Sequence, residues 1–368
     1  MTHTPTSPLG ARRVDHIALT VPNLDEAIEF TLNVLGGELV YHLPELSHAD
    51  NWMLLHLDVH PRTRVEIALV RLGPVTNLEF FQYWTPGRVT SLPRVQDTRS
   101  TVLGLYVHDV DTAADFLRES HGLRCFGPSR MRDEHGPEAG TRWVRMQAPW
   151  GMPLELRSKV PSSVGRRSPA LRRFGPCAAW SNRNDGTASA CLLPGLCNVD
   201  HVSYAVNDLN RAVQFFEEVL GAESLYRTTE SLSETSLAQA LGVPFSGWVE
   251  RAVLRLGPTD NLELTAWNVP GANRQPPRNS DLGGRHLALY VDDVPAAAAH
   301  IARFPGCMLL GTPQIIAEGP IAGDQWVYVR TPIGLYLELV RMPDGDLPYE
   351  FSTSARRRPV CGLRWTDR

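Results

Sequence analysis

The stretch VDHVSYAVNDLNRAVQFFEEVLG, residues 199–221, decides the fold. Its first eight residues are rich in β-branched and aromatic side chains bounded by polar ones, which predicts a strand. Apolar residues then recur at three- and four-residue steps, which predicts an amphipathic helix. We expect Asn207 or Asp208 to cap the start of this helix and Gly221 to lie at its end.

The same unit occurs earlier, as VDHIALTVPNLDEAIEFTLNVLGGE in residues 14–38. Two further segments repeat, RLGPVTNLEFF (71–81) as RLGPTDNLELT (255–265) and TRWVRMQAPWGMPLELRS (141–158) as DQWVYVRTPIGLYLELVR (324–341). The nearly equal offsets of 183–185 residues indicate homologous halves. Each half divides again into two units, each of one strand, one helix and three strands. The sequence therefore predicts an α+β fold of four βαβββ modules, which form two tandem domains with cup-shaped mixed sheets.

The predicted domain boundaries follow composition. Residues 13–158 form the first domain and residues 197–349 the second. Between them, residues 159–196 are rich in Ser, Pro, Gly and Arg and show no sustained period, which is typical of a flexible, solvated linker. We expect residues 1–12 to be a disordered N-terminus and residues 350–368 to be a solvated tail.

Two histidines and two glutamates occupy equivalent places in the modules of the second half. His201 and His286 lie early in strands that open a module, and Glu263 and Glu338 lie between leucines in strands that close one. A pseudo-twofold relation between the two modules would bring all four together. Because a buried, unpaired carboxylate is costly, a metal ion would relieve the arrangement. We therefore predict a metal site of His201, Glu263, His286 and Glu338.

The first half has His16, Glu79 and Glu155 at corresponding positions, but Val102 stands where the second half has His286. The remaining trio could bind a metal weakly. We favour a degenerate copy, which is kept for structure or for shaping the other pocket.

Side chains alternate across a strand, so residues in phase with the ligands should line the cup. This criterion selects Trp267, Tyr290, Trp326, Tyr328, Arg330 and Tyr336. Such a lining suits a small polyhydroxylated or acidic substrate, although the same residues could simply close the mouth of the cup.

Composition excludes several classes of partner. The 368 residues are 43% hydrophobic and 21% charged, with a net charge of −4, which gives no electrostatic reason to expect nucleic acid or an anionic membrane surface. No apolar run approaches the ~18 residues of a spanning helix, and the start does not read as a secretory signal. The six cysteines form no C-x-x-C pair, so we expect reduced thiols in a cytoplasmic protein.

The strand and helix at 200–221, with the NLELT and LYLELV strands, resemble the vicinal oxygen chelate superfamily, which includes glyoxalase I, methylmalonyl-CoA epimerase, extradiol dioxygenases and bleomycin-type resistance proteins. The resemblance covers about residues 13–158 and 197–349. It implies that a divalent ion (Zn, Ni, Co, Mn or Fe(II)) is held by the same four residues and chelates two adjacent substrate oxygens.

Four protein ligands leave a six-coordinate ion two positions, enough for vicinal oxygens but not for dioxygen as well. The resemblance therefore implies an isomerase or epimerase that acts through an enediolate, with Glu338 or Glu263 as base. The motif PRNSDLGGRHLALYVDDV and the closing LELVRMPDG are similar to tandem-domain epimerases of cyclitol biosynthesis, whose substrates are small α-hydroxy ketones such as 2-epi-5-epi-valiolone.

Three alternatives stay open: an extradiol ring-cleavage dioxygenase, a glyoxalase-type lyase and a non-catalytic drug- or metabolite-binding protein. We also expect a homodimer, because cup-forming sheets leave apolar edges that a twin subunit can cover.

Overall fold

The computed structural model describes residues 7–132, 136–158, 192–233, 235–244 and 246–358. Within them the predicted order of one strand, one helix and three strands occurs four times, and the α+β prediction is confirmed. The first and third modules each carry an additional short helix that the sequence pattern did not predict.

The first half of the chain contains two modules. The first comprises β1 (Ala11–Thr20), α1 (Leu24–Asn33), β2 (Glu38–Leu46), α2 (Trp52–Leu57), β3 (Arg64–Leu72) and β4 (Thr76–Trp84). The second comprises β5 (Thr101–Val107), α3 (Val110–His121), β6 (Arg130–Met131), β7 (Arg142–Gln147) and β8 (Pro153–Arg157).

The second half repeats the pattern. The third module comprises β9 (Leu196–Ala205), α4 (Leu209–Leu220), β10 (Glu223–Ser231), α5 (Thr235–Ala240), β11 (Trp248–Leu256) and β12 (Asp260–Asn268). The fourth comprises β13 (Arg285–Val291), α6 (Val294–Ile301), β14 (Met308–Ile315), β15 (Gln325–Arg330) and β16 (Tyr336–Arg341), and a 3-10 turn follows at Pro348–Phe351.

Local signals set the helix ends. The Asp208 side chain accepts a hydrogen bond from the backbone N–H of Arg211 at the start of α4, and Gly221 ends the helix in the left-handed conformation at φ 67°. These are the two predicted caps, and both are confirmed.

The two eight-stranded sheets do not follow the two halves of the sequence. The first sheet has the strand order β14-β15-β16-β13-β1-β4-β3-β2, so it joins the fourth module to the first. The second sheet has the order β10-β11-β12-β9-β5-β8-β7-β6, so it joins the third module to the second. The expectation that the third and fourth modules share one centre is therefore wrong.

Because side chains alternate across the strands, buried residues form a core shared by the two sheets and a separate cluster on the opposite face of each sheet. One face of each sheet packs on the helices in a shared apolar core, to which Ile17, Leu103, Val202 and Leu287 belong. The opposite face of the first sheet, which we call the first cup, has its own cluster around Met53, Phe81, Tyr328 and Tyr336. The second cup, on the second sheet, is built around Trp143, Leu241, Val243 and Trp267.

The chain ends differ from expectation where they are described. The first strand already begins at Ala11 and β9 at Leu196, inside the predicted N-terminus and linker. Residues 350–358 of the predicted tail pack back on the first sheet, and Arg357 is buried there. The predicted linker lies outside the described residues from 159 to 191, as do residues 359–368 of the tail.

Among the described helices, none is both long and apolar enough to cross a membrane. Among the described residues, Cys125 and Cys307 are free thiols.

Candidate metal centre

Four buried side chains meet in the first cup: His16, Glu79, His286 and Glu338. One potential ligand atom from each lies within 4.8 Å of all the others. His16 Nε2 is 3.0 Å from Glu79 Oε2 and 3.0 Å from Glu338 Oε2. His286 Nε2 is 3.2 Å from both His16 Nε2 and Glu338 Oε2. The group has the composition and spacing of a site for one divalent cation.

Strand pairing positions this group. The antiparallel pair β1–β13 forms the centre of the first sheet and places His16 opposite Ala288 and His286 opposite Ala18. Each of these strands has a parallel neighbour, and those neighbours bring Glu79 and Glu338 alongside. All four side chains point to the cup face, because the residue that follows each of them in sequence belongs to the shared core.

The electrostatics of the group favour a bound cation. His16 Nδ1 contacts Asp15 Oδ2 at 2.8 Å, so a neutral His16 that donates there directs the lone pair of Nε2 towards the glutamates. Burial would lower the pKa of His16, but Glu79 and the contact with Asp15 outweigh it and hold that pKa well above its usual value. Glu338 Oε2 is buried against the two histidines, at 3.0 Å from His16 Nε2 and 3.2 Å from His286 Nε2. A divalent cation fits these donors and would replace the proton on His16.

The neighbouring shell holds these donors in place. The Tyr41 hydroxyl donates to Glu79 Oε1 at 2.8 Å, and the Tyr328 hydroxyl lies 3.2 Å from His286 Nε2. Burial raises the pKa of both tyrosines, and Glu79 raises that of Tyr41 further. Both groups therefore stay protonated and can act as hydrogen-bond donors.

The predicted pocket residues fall in different places. Trp326, Tyr328 and Tyr336 belong to the first cup, and Tyr290 packs against its edge. Arg330 is half exposed and lies 3.5 Å from Asp58. Trp267 lies in the second cup, so it does not line the pocket predicted for it.

The structure also separates the four predicted ligands. His286 and Glu338 lie in the first cup, whereas His201 and Glu263 lie in the second with Glu155. His16 and Glu79, which the sequence assigned to a degenerate copy, complete the group of the first cup. The physical reason is the sheet order, because β1 pairs with β13 and β9 pairs with β5.

The candidate ligands of the second cup are less suited to holding a metal ion than those of the first cup. Val102 faces Ser203 at the place where His286 faces Ala18 in the first cup. His201 Nε2 is 3.9 Å from Glu263 Oε1, which is wider than the matching 3.0 Å in the first cup.

Two arginines supply positive charge in the second cup. Arg145 Nη2 is 3.0 Å from Glu155 Oε2, and Arg251 Nη1 is 3.5 Å from Glu263 Oε2. Burial alone would raise the pKa of Glu155, but Arg145 lowers it to about 2. The repeat places Tyr328 and Ile67 at the equivalent positions of the first cup. Guanidinium groups therefore balance the carboxylates here, where a metal ion would do so in the first cup.

Sequence reasoning missed several supporting residues. Asp15 could have been found from the sequence, because the motif VDH occurs in both halves and places Asp200 before His201 in the same way. Asp200 Oδ2 indeed lies 2.6 Å from His201 Nδ1. Tyr41 and Arg145 carried no pattern of their own, because their roles depend on strand pairing.

Comparison with known proteins supports the family resemblance that the sequence motifs indicated. Two profiles of the Glyoxalase/Bleomycin resistance protein/Dioxygenase superfamily match the chain, one over residues 13–137 and the other over residues 200–306. A 2-epi-5-epi-valiolone epimerase from Actinomyces sp. is 47% identical over 175 residues, which cover 48% of this chain and 94% of the epimerase.

Two solved structures share the fold. Glyoxalase I from Zea mays is 16% identical at a TM-score of 0.52, with 90% of this chain and 92% of that one covered. A putative dioxygenase from Bacillus subtilis is 15% identical at a TM-score of 0.52, with 94% and 89% covered. At these identities the likeness concerns architecture alone, and it agrees with the predicted α+β fold of cup-shaped mixed sheets.

Proposed function

Because the chain belongs to the Glyoxalase/Bleomycin resistance protein/Dioxygenase superfamily, we propose that it is a divalent-metal-dependent epimerase of a small polyhydroxylated α-hydroxy ketone. The observation that carries the proposal is the buried group of His16, Glu79, His286 and Glu338. The substrate class follows the similar epimerase, whose name specifies 2-epi-5-epi-valiolone. The predicted isomerase-type enzyme agrees with that relative.

The number of protein ligands favours this chemistry. Four side chains leave a six-coordinate ion two positions, which suit two adjacent oxygens of one substrate. A divalent cation held there would supply Lewis acidity that makes the neighbouring C–H more acidic. The other roles fall to side chains of the first cup.

We assign proton removal to Glu338. Its Oε2 atom contacts the two ligand histidines, His16 Nε2 at 3.0 Å and His286 Nε2 at 3.2 Å, whereas Glu79 is also restrained by a hydrogen bond from the Tyr41 hydroxyl to its Oε1. The C–H bond breaks, and its proton passes to a Glu338 oxygen. Inversion then requires a proton to reach the opposite face of the same carbon, where Glu79 is the second carboxylate. Glu263, the other base considered from the sequence, is paired with Arg251 in the second cup and has no part in this step.

The lining of the cup supports a polyhydroxylated substrate. Tyr328 and Tyr336 present hydroxyls on an otherwise aromatic wall that includes Trp326. Tyr336 donates to Asp58 Oδ2 at 2.8 Å, which places a carboxylate at the same wall. Substrate hydroxyls could exchange hydrogen bonds with these groups, while the aromatic faces pack on the ring carbons.

An anaerobic exchange experiment tests the proposal. Protein loaded with metal receives 2-epi-5-epi-valiolone in deuterium oxide under nitrogen, and mass spectrometry and NMR follow the product. We expect an epimer that carries deuterium at the inverted carbon, and no turnover by the chelator-treated protein. E263Q serves as the matched control with retained activity.

The alternatives give different results. Strict dependence on oxygen with a ring-opened product would indicate a dioxygenase. Turnover of a thiol adduct alone would indicate a glyoxalase-type lyase, and tight binding without turnover would indicate a binding protein. Each of these outcomes overturns the epimerase.

The metal identity, the cytoplasmic location and the homodimer stay predictions.

A further inference from the structure

The segment after the 3-10 turn brings one arginine to the back of the candidate metal centre. Arg357 is 2% exposed. Its Nε donates to Asp15 Oδ2 at 2.7 Å, and its Nη1 donates to Asp324 Oδ2. Asp15 in turn contacts His16 Nδ1. A continuous chain of charged contacts therefore runs from Arg357 to a proposed metal ligand.

The backbone of this segment is fixed as firmly as its side chain. The Arg71 guanidinium donates to the carbonyl oxygens of Arg356, Arg357 and Arg358 at 2.8–3.1 Å. Asn77 Nδ2 donates both to the Asp15 carbonyl at 2.7 Å and to the Arg357 carbonyl at 3.0 Å. These contacts fix the position of Arg357 relative to Asp15. Asn77 belongs to β4, the strand that carries Glu79.

The second cup obtains its arginine in another way. Arg157 of β8 reaches Asp200 Oδ2 at 3.4 Å, beside His201. Arg157 follows Glu155 by two residues, and the residue two after Glu338 is Val340. The strand of the first cup therefore supplies no arginine at this place, and the chain segment beyond the last module does.

We infer that Arg357 is a positioning residue of the metal centre, which orients Asp15 and through it fixes His16 as a ligand. The inference rests on the proposed metal site. Partners of a ligand histidine fix its tautomer and ring orientation, and their loss weakens metal binding about 10–100-fold. Arg357 bridges the carboxylates of Asp15 and Asp324. A planar guanidinium group can donate to both at once in a fixed geometry, whereas a lysine ammonium group cannot.

Metal affinity of the full chain tests the inference without any substrate. Apo protein is titrated with Co²⁺ against a chelating dye, and the visible Co²⁺ spectrum is recorded. We expect R357M to bind Co²⁺ about 10–100-fold more weakly than the parent, with an altered spectrum. R356M is the matched control, because the Arg356 side chain is half exposed and contacts Glu350. Its affinity should equal that of the parent.

A double variant shows whether Arg357 acts through Asp15. D15N should weaken Co²⁺ binding, and D15N/R357M should bind no more weakly than D15N alone, because both changes break one chain of contacts. A purely structural role would make the two losses multiply. R357K keeps the positive charge but loses the planar guanidinium group, and we expect its Co²⁺ affinity to lie between those of the parent and R357M.

The outcomes separate the two claims. A parent protein that binds no Co²⁺ contradicts the proposed function. A parent that binds Co²⁺ while R357M binds it equally well overturns only the role of Arg357. If R357M does not fold, D15N and R357K decide, and parental affinity in both overturns the inference.

Discussion

His286 lies directly across the central antiparallel strand pair from Ala18, so the last module of the chain completes the sheet that the first module begins. The two histidines of the site are 270 residues apart in sequence, yet their Nε2 atoms are 3.2 Å apart. The site therefore forms only when both ends of the folded region have paired. All four proposed ligands come from one chain.

The first prediction is one tight divalent ion per chain, bound in the first cup. Glu79 and Glu263 occupy equivalent positions of the repeat, so E79Q and E263Q are a matched pair. We expect E79Q to lose most of the bound metal, because it removes one of four ligands. E263Q should retain it, because Glu263 faces Arg251. Elemental analysis of dialysed protein measures both. Two equally tight ions per chain in the parent would contradict the prediction.

Removal of the metal should lower thermal stability. A ligand that binds only the folded state, at a free concentration of 100 Kd, stabilises that state by about 2.7 kcal/mol. A chelator should therefore lower the Tm of the parent and of E263Q by several degrees. E79Q should melt at the same temperature with and without chelator, and a chelator effect of full size in E79Q would place the ion elsewhere.

The second cup should depend on its internal ion pairs instead. Arg145 and Glu155 are at most 3% exposed. R145M leaves a buried carboxylate short of its main counter-charge and should cost about 3–5 kcal/mol in the free energy of unfolding. Adding E155Q should recover part of that loss, and urea denaturation of the four proteins of this cycle measures the coupling.

A surface arginine of the same strand provides the control for this cycle. Arg142 pairs with Asp111, and both side chains are roughly half exposed. R142M should change the free energy of unfolding by less than about 1 kcal/mol. A loss as small in R145M as in R142M would show that the second cup does not need its buried pair.

Much of the fold could be predicted because its signals are local. The period of two in strands such as YLELV, the helical spacing after Asp208 and the capping Gly221 each depend on a few neighbouring residues, and the repeat multiplied these signals fourfold. The short helix α2 was missed, because six residues contain too few turns for a period to emerge.

The partner of each module could not be predicted, because pairing depends on contacts between distant parts of the chain. The sequence identified both His16 and His286 as candidate ligands but placed them in separate sites. In each half, the strand that opens a module could pair with its neighbour in sequence or with a strand of the other half. The alternating patterns of β1, β5, β9 and β13 satisfy either arrangement, since both bury the same faces.

A further prediction follows from the origin of all four ligands in one chain. Metal content should not change when the protein is diluted from micromolar to nanomolar concentration, whether or not the expected homodimer dissociates. Size-exclusion chromatography with light scattering, coupled to elemental analysis, tests both properties together. Release of metal at the concentration where a dimer dissociates would show that the site needs a second subunit.

The last prediction assigns different roles to the two glutamates of the first cup. Both are proposed ligands, so each variant is measured at saturating Co²⁺ and its exchange rate is divided by the metal bound. Tyr41 donates to Glu79 Oε1 at 2.8 Å, which restrains that carboxylate. Glu338 Oε2 instead contacts the two histidines, at 3.0 Å and 3.2 Å, whose Nε2 atoms would bind the ion. We therefore expect E338Q to lose about 10²–10⁴-fold in the rate of deuterium exchange per bound ion, the usual contribution of a general base.

E79Q should lose less exchange per bound ion but should yield less of the inverted product, because proton delivery to the opposite face is then impaired. Y41F tests the effect of the hydrogen bond from Tyr41, because it removes that bond to Glu79 without changing the four proposed ligands. If Glu79 can replace Glu338 once released, Y41F/E338Q should exchange faster than E338Q alone. Equal losses of exchange in E338Q and E79Q, with equal product stereochemistry, would contradict the assignment of Glu338 as the base.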